Sequence, residues 1–175
     1  MITVEEAIEY VESNSHPAKN IVKISLKNAL GFVLAEDVMS PIDMPPFRQS
    51  AMDGYAVRIH DSEYYHVKGE LQAGDSKDVT LKKGEAVRIF TGAPVPNDAN
   101  AVVIQEKTTI KEKELEVHDE VTVQSNIRPK GEQIQKGEMA LGKGISLTPA
   151  AIGFLTTIGI TAVSYTHLRA HETRH

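Results

Sequence analysis

Apolar residues at Val4, Ala7, Ile8 and Val11 recur at i, i+3, i+4 and i+7, the period of one face of an α-helix. Thr3 and Glu6 stand at capping-box spacing before them, and Asn14, Ser15 and Pro17 close the segment. From Ile21 to Leu26 the period changes to two, with Val22, Ile24 and Leu26 facing one way, which predicts a strand. Leu26–Leu30 predicts a short helical turn ended by Gly31, and Phe32–Val38 an extended return. Three prolines then fall between Ser40 and Phe47. Proline fixes its own φ and pushes its predecessor toward extended backbone, so this stiff stretch marks a domain boundary.

Seven short strand candidates follow: Tyr55–Ile59, Tyr64–Glu70, Ala86–Phe90, Ala101–Gln105, Thr108–Lys111, Leu115–His118 and Val121–Gln124. Turn residues or charges separate them, as in a small barrel or sandwich. Lys111–Glu114 predicts a solvated hairpin tip. After Gly131 the pattern turns mixed again. Gly137, Gly142 and Gly144 mark turns, and Thr148-Pro149 supplies an N-cap and N1 residue for a helix through Ile152, Leu155 and Thr156 that stops at Gly159. A strand starts at Ile160–Val163. The expected fold class is α+β, mostly β. A discontinuous mixed domain (1–45 with 131–163) carries an inserted, small β-barrel-like domain (46–130), and 164–175 forms a tail.

Composition narrows the function. The 175 residues carry a formal net charge of −5, no cysteine and no tryptophan. Without cysteine there is no disulfide framework, thiolate zinc site or cysteine nucleophile. An acidic chain with few aromatics and no basic stripe disfavours nucleic-acid binding. No apolar run approaches the length of a membrane span, and the N-terminus lacks signal-peptide features, so neither a membrane partner nor export is expected. The expected location is the cytoplasm. His16, His60, His66 and His118 show no metal-ligand spacing, and there is no Walker A loop, dinucleotide fingerprint or nucleophile elbow.

Three stretches bear candidate chemistry. In Phe47–Val57, small residues Ser50, Ala51 and Gly54 let backbone approach a ligand, and Asp53 places a carboxylate in the bend. That carboxylate suits a magnesium ion carrying phosphates, or proton transfer; on local chemistry alone an ordinary Asp-Gly turn is the simpler account. In Thr91–Pro96, the Thr91 hydroxyl and the Gly92 backbone suit an anionic oxygen, held by two prolines; a plain inter-strand connection is the alternative. In Asn126–Gln133, Arg128 offers a phosphate-gripping fork and Lys130 a point charge, against the alternative of a basic surface turn. Local chemistry reaches an anion or phosphate site and stops there.

Taken together, Ser50-Ala51-Met52-Asp53-Gly54-Tyr55-Ala56-Val57, Thr91-Gly92-Ala93-Pro94-Val95-Pro96 and Asn126-Ile127-Arg128 with Gly131-Glu132 resemble one family. It is the molybdopterin molybdenumtransferases, called MoeA in bacteria and represented in animals by the gephyrin E domain. Ala35–Val38 with Ser40-Pro41, and Ala101–Val103 with Gln105-Glu106, extend the resemblance over roughly Ile2–Val163. It implies insertion of molybdate into adenylylated molybdopterin with release of AMP, supported by Mg2+, in a homodimer. It also implies that Asp53 and Thr91 are catalytic and that Arg128 contacts substrate; Ser50, Gly92, Lys130 and Gln133, beside them in the same stretches, are expected as further substrate contacts. The metal ligands stay unassigned, with Asp53 the leading candidate.

Two departures qualify this. Gln133 stands where the family often has an acid, and glutamine supplies only a neutral oxygen. The family also continues into a large α/β domain that this chain does not contain, so the chain alone is expected to be inactive. Ser164–His175 holds three of the seven histidines and resembles no family continuation, as a foreign, loosely held tail would. The competing readings are a non-catalytic dimerisation or scaffold module and an inert gene fragment.

Overall fold

The computed structural model describes residues 2–14, 21–75 and 79–166. Its elements run α1 (Val4–Asn14), β1 (Ile21–Ser25), β2 (Val33–Leu34), β3 (Val38–Met39), β4 (Gln49–Ser50), β5 (Gly54–Val57), β6 (Tyr64–Leu71) and β7 (Glu85–Ile89). They continue with β8 (Ala101–Ile104), β9 (Thr108–Lys111), β10 (Glu114–Val117), β11 (Ile127–Arg128), β12 (Met139–Leu141), α2 (Pro149–Thr157) and β13 (Ala162–Thr166). The fold is mostly β, as expected. Contacts divide it into Ile42–Lys136 and a discontinuous unit that runs to Pro41 and resumes at Gly137.

The inserted unit is wider than the expected 46–130 because residues near 42–45 and 131–136 bind each other. Met44 N–H donates to Ile134 O (2.8 Å), Gln133 N–H to Met44 O (2.9 Å) and Gly131 N–H to Pro45 O (2.9 Å). Both segments therefore belong to the inserted unit, not to the outer one.

In the outer unit, β1, β13 and β2 form an antiparallel sheet in that order. Leu34, Leu147, Leu155, Ile158 and Val163 are buried, and Phe32 packs against Tyr165 with ring centroids 4.5 Å apart and ring planes tilted by 56°. The predicted ends of α2 are both present. Thr148 Oγ1 accepts from Ala151 N (3.2 Å). Ile160 N–H returns to Leu155 O and Gly159 N–H to Thr156 O, a Schellman closure. The capping box of α1 forms in both directions, Thr3 N to Glu6 Oε2 (2.8 Å) and Glu6 N to Thr3 Oγ1 (3.2 Å). Ser15 and Pro17, expected to end α1, lie outside the described residues. Ser164, Tyr165 and Thr166 were expected in the tail. They instead complete β13, because alternation buries Val163 and Tyr165 on one face of the sheet. The remaining tail lies outside the described residues.

In the inserted unit, six strands in the order β8-β5-β7-β6-β10-β9 curl into a half-barrel, open between β8 and β9. All pairings are antiparallel except β6–β7. The central strands are apolar on both faces. Ala56, Val87, Ile89 and Val102 pack on one side with Leu71 and Leu81. Tyr55, Val57, Ala86, Ala101 and Val103 pack on the other with Tyr65 and Leu115. That is why β5 is wholly buried. The 111–114 tip is a hairpin turn, with Glu114 opposite Lys111 and Glu112 at φ 58°.

Val121–Gln124 is not a strand. Gln124 and Asn126 adopt φ of 66° and 54°, and Ser125 N–H turns back to Thr122 O, so the apolar alternation there serves a turn. The same turn delivers β11 to β4, a two-residue pairing that periodicity cannot reveal: Ile127 opposes Ser50 and Arg128 opposes Gln49.

Candidate functional site

The Thr91–Pro96 loop has a simple local logic. Alternation buries Ala93 and Val95 in the half-barrel and leaves Thr91 outside. Gly92 holds φ 86°, a left-handed conformation that lets the chain leave β7 sharply. The loop is then sewn to residues 48–50. Val95 N–H donates to Arg48 O (2.8 Å), Ser50 N–H to Ala93 O (3.0 Å) and Gly92 N–H to Ser50 O (2.9 Å). The Gln49 side chain adds a bond to Gly92 O (3.1 Å), and Arg48 Nη2 reaches Ala99 O (2.7 Å). Ser50 is 1% exposed, and its hydroxyl donates to Met52 O (2.7 Å), tightening the bend before Asp53.

This brings Asp53 and Thr91 into contact across 38 positions of sequence. Thr91 donates twice to Asp53 Oδ1, from its backbone N–H (2.7 Å) and from its hydroxyl (2.8 Å). Both residues are exposed. The backbone and then the hydroxyl donor of Thr91 hold the Asp53 carboxyl below the ordinary aspartate range, with Arg88 adding a smaller push in the same direction. Asp53 is therefore a carboxylate near neutral pH. One oxygen carries both Thr91 bonds, and a carboxylate has acceptor capacity beyond two bonds.

Gly54 makes the approach possible. A Cβ there would lie 1.9 Å from Val103 O, because β5 is sandwiched between β7 and β8 at that point. Asp53 is thus fixed to the end of the most buried strand of the unit. Gln105 N–H also holds the Asp53 carbonyl (3.1 Å).

The structure gathers the seven candidate residues unevenly. Asp53, Thr91, Gly92 and Ser50 form one bonded cluster. Arg128 is exposed on β11, opposite Gln49 and so one strand removed from Gly92. Lys130 pairs with Asp43 (3.1 Å), whose carboxylate also accepts Lys136 N–H (2.9 Å). Those bonds, Lys136 first, hold Asp43 below the ordinary range. Gln133 is exposed, and its backbone N–H donates to Met44. Lys130 and Gln133 thus belong to the closure of the unit, around Asp43 and Met44.

Sequence reasoning missed Arg88. Its guanidinium lies 5.0 Å from the Tyr55 ring centroid and 5.3 Å from that of Phe90, and its Nη2 donates to Gln105 Oε1. The signal was a cation in the otherwise apolar stretch Ala86–Phe90; its place beside Tyr55 depends on β7 lying beside β5, which no local pattern states.

Among the described residues no group of three His, Asp or Glu side chains could hold a metal. His60 Nε2 lies 2.9 Å from Tyr64 O and His118 Nε2 lies 2.9 Å from Thr109 Oγ1, each engaged locally. Nor is any helix among them long and apolar enough to cross a membrane. Any cation at Asp53 would take one protein carboxylate here, a usual arrangement for magnesium, which completes its shell with water and substrate phosphates.

Comparison with known proteins adds three findings. Residues 2–159 match the family described as MoeA N-terminal region (domain I and II). The chain is 35% identical over 170 residues to a molybdopterin molybdenumtransferase of Staphylococcus epidermidis, covering 93% of this chain and 40% of that protein. It is 38% identical over 144 residues to the Haemophilus influenzae protein of the same name, covering 80% and 36%. Its fold superposes on the molybdopterin biosynthesis moeA protein of Pyrococcus horikoshii OT3 with a TM-score of 0.86 and 32% identity, covering 94% of this chain and 46% of that one. The chain therefore spans less than half the length of these relatives.

Proposed function

Since the chain belongs to the family of MoeA N-terminal regions (domains I and II), we propose that it is the N-terminal part of a molybdopterin molybdenumtransferase, acting in molybdenum cofactor biosynthesis. The reaction is insertion of molybdate into adenylylated molybdopterin with loss of AMP. The observation that carries this reading is the double donation from Thr91 to Asp53 Oδ1. It unites the two loops with the strongest family resemblance and presents an ionised carboxylate on an exposed surface.

In this reading Thr91 orients Asp53 and keeps it ionised, and Asp53 turns its remaining acceptor capacity toward substrate. Ser50 and Gly92 hold the two backbones together. Arg128, at the edge of the cluster, neutralises phosphate charge. Lys130 and Gln133 act at most indirectly, by closing the unit around Asp43. Magnesium, when bound, would neutralise phosphate oxygens, and Asp53 is the residue of this chain suited to hold it. The 175-residue chain alone is expected to show no insertion activity, because the relatives it matches are more than twice as long.

The test is a chimera in which residues 2–159 replace the matching region of a full-length relative, expressed in a strain lacking the transferase. Rescue of molybdoenzyme activity is expected, with loss in Asp53→Ala. A folded chimera that fails to rescue, or an Asp53→Ala chimera that rescues fully, refutes the reading.

A dimerisation role is favoured by a separate observation. Among the described residues, Val4 and Ile8 on the apolar stripe of α1 are 70% and 54% exposed. A second copy would bury it, as the homodimer implied by the family requires. Light scattering should show a dimer that Ile8→Glu dissociates; a monomeric wild type at high concentration removes this reading.

A further inference from the structure

The half-barrel is open between β8 and β9, and a cavity of about 290 Å3 lies along the β8 side of that opening. Met52, Val103, Ile104, Val121, Ser125 and Asn126 line it. Ala101–Val103 and Asn126 stand out in the sequence but take no part in the contact between Asp53 and Thr91.

Register decides what β8 offers there. Val102 N–H is taken from outside the ladder by Ser125 O (3.0 Å), and the Val102 carbonyl by Asn126 Nδ2 (2.8 Å). Residues two apart on a strand turn their amides the same way, so Ile104 also points its N–H away from β5. The turn at 124–126 does not follow it that far, because the chain leaves at Ile127 to pair with β4. Ile104 stands at the start of a single 3-10 turn, Gln105–Lys107, and its carbonyl accepts the first bond of that turn. One backbone donor is left on this edge. Beside it, Asn126 gives its Nδ2 to Val102 and keeps Oδ1 as an acceptor.

A single donor is too little for an added strand, which pairs through a run of alternate main-chain groups. It suits one acceptor atom. The walls are apolar: Val103 is buried, Val121 packs against the same core cluster, and Met52 is 42% exposed. Asp119 and Glu120 also line the cavity, and Asp119 already holds Lys107 (2.7 Å), so an anion is disfavoured. The volume falls at the lower end for ligand pockets, about 300–1,000 Å3, which suits one ring system. An uncharged flat heterocycle with a ring nitrogen next to an amino group meets these conditions. Its nitrogen accepts from Ile104 N–H, its amino group donates to Asn126 Oδ1, and its faces meet the apolar walls.

We propose that this cavity binds an aminopyrimidine-type ring, the unit that adenine and a pterin share, between the β8 edge and Asn126. The inference deepens the proposed function and rests on it for the molecule that carries the ring, since adenylylated molybdopterin holds both. The cavity adjoins the acidic site. Met52 precedes Asp53, and Ile104 precedes Gln105, whose N–H holds the Asp53 carbonyl (3.1 Å).

The test is a nitrogen-15 NMR titration of the full 175-residue chain with adenosine, with pterin, with ribose, and with purine riboside and lumazine, which lack the amino group. Adenosine, pterin or both should shift the Ile104 amide, with Kd on the order of 0.1–1 mM; the one that does so names the source of the ring. The counterpart without the amino group should bind about tenfold more weakly, because Asn126 Oδ1 is left unpaired. Ribose should leave Ile104 unmoved. Met52→Ala should weaken the ring about fivefold by removing one wall. No shift at Ile104 with either ring overturns the proposal. Shifts centred away from Ile104 and Asn126, equal affinity without the amino group, or a folded Met52→Ala of unchanged affinity overturn it as well. If Met52→Ala does not fold, the comparison with and without the amino group decides on the wild type. A chimera that rescues while neither ring binds overturns this inference alone. A chimera that fails while a ring still shifts Ile104 removes the enzymatic reading and leaves the ring site.

Discussion

Replacing Gly54 by alanine tests the geometry on which the site depends. The added Cβ would stand 1.9 Å from Val103 O, 2.8 Å from Val103 C and 3.0 Å from Ile104 Cα. All three are backbone atoms of β8 or its end, so no side chain can swing aside. Relief requires β8 to move away by more than 1 Å or so, which stretches ladder hydrogen bonds of about 2.9 Å beyond bonding range. Each lost bond costs about 1 kcal/mol net. Loosened packing of Ala101, Val102 and Val103 adds about 1–3 kcal/mol, the usual range for overpacking. Alanine stiffens the unfolded chain, which returns about 0.4–1 kcal/mol. The net expectation is a loss of about 3 kcal/mol, out of about 5–14 kcal/mol for a unit of this size. Thermal unfolding should drop by roughly 12–24 °C. Circular dichroism melts and urea titration measure it. Since Asp53 precedes Gly54, the Asp53 carboxyl resonance should shift as well. A variant within about 0.5 kcal/mol of wild type, the range of an inconsequential surface change, would show that residue 54 does not face the Val103 carbonyl. It would also show that the β5–β8 register is wrong.

Other substitutions separate further parts of the argument. Gly153→Ala lies inside α2 with nothing within 4 Å of the new Cβ, so it should stabilise by about 0.5–1 kcal/mol in chemical denaturation; destabilisation would mean that this face of α2 is covered. Thr148→Ala removes the acceptor for Ala151 N–H and should cost about 1 kcal/mol, with Thr148→Ser near wild type; equal loss in both would refute the cap. Asp43 tests pH dependence. Its folded pKa is lowered below 3.8 by Lys136 N–H and Lys130, so its contribution is present above the unfolded value and fades as pH falls through the folded one. Asp43→Asn should therefore weaken the protein at neutral pH and match wild type in strong acid; a deficit independent of pH would deny the ionic role.

Much of the architecture was legible because it is local. The ends of α1 and α2 are written in adjacent residues, Thr3 with Glu6 and Thr148 with Pro149, since a cap is satisfied within one turn. Most strands of the half-barrel were legible from alternation. The Val121–Gln124 segment was not, because the same apolar spacing also suits a turn whose positive φ values at Gln124 and Asn126 leave no trace in hydropathy. The strand continuing through Thr166 was likewise hidden: Tyr165 joins the sheet through its neighbours Leu34 and Val22.

The residues of the site divide along the same line. Asp53, Thr91, Ser50 and Gly92 were readable as motif residues, since small residues and a carboxylate in a proline-framed bend are a local signature. Their joining was not, for Asp53 and Thr91 meet only because β5 and β7 pair and β4 ties down the loop. Pairing also decided where the cations sit. Arg88 stands beside Tyr55 through the β5–β7 register, whereas Lys130 is drawn to Asp43. The sequence by itself determined the family and the mostly β composition, and it singled out Asp53 as the candidate carboxylate. Only the tertiary structure decided which side chains surround that carboxylate, because strand register is a long-range property that no single segment carries.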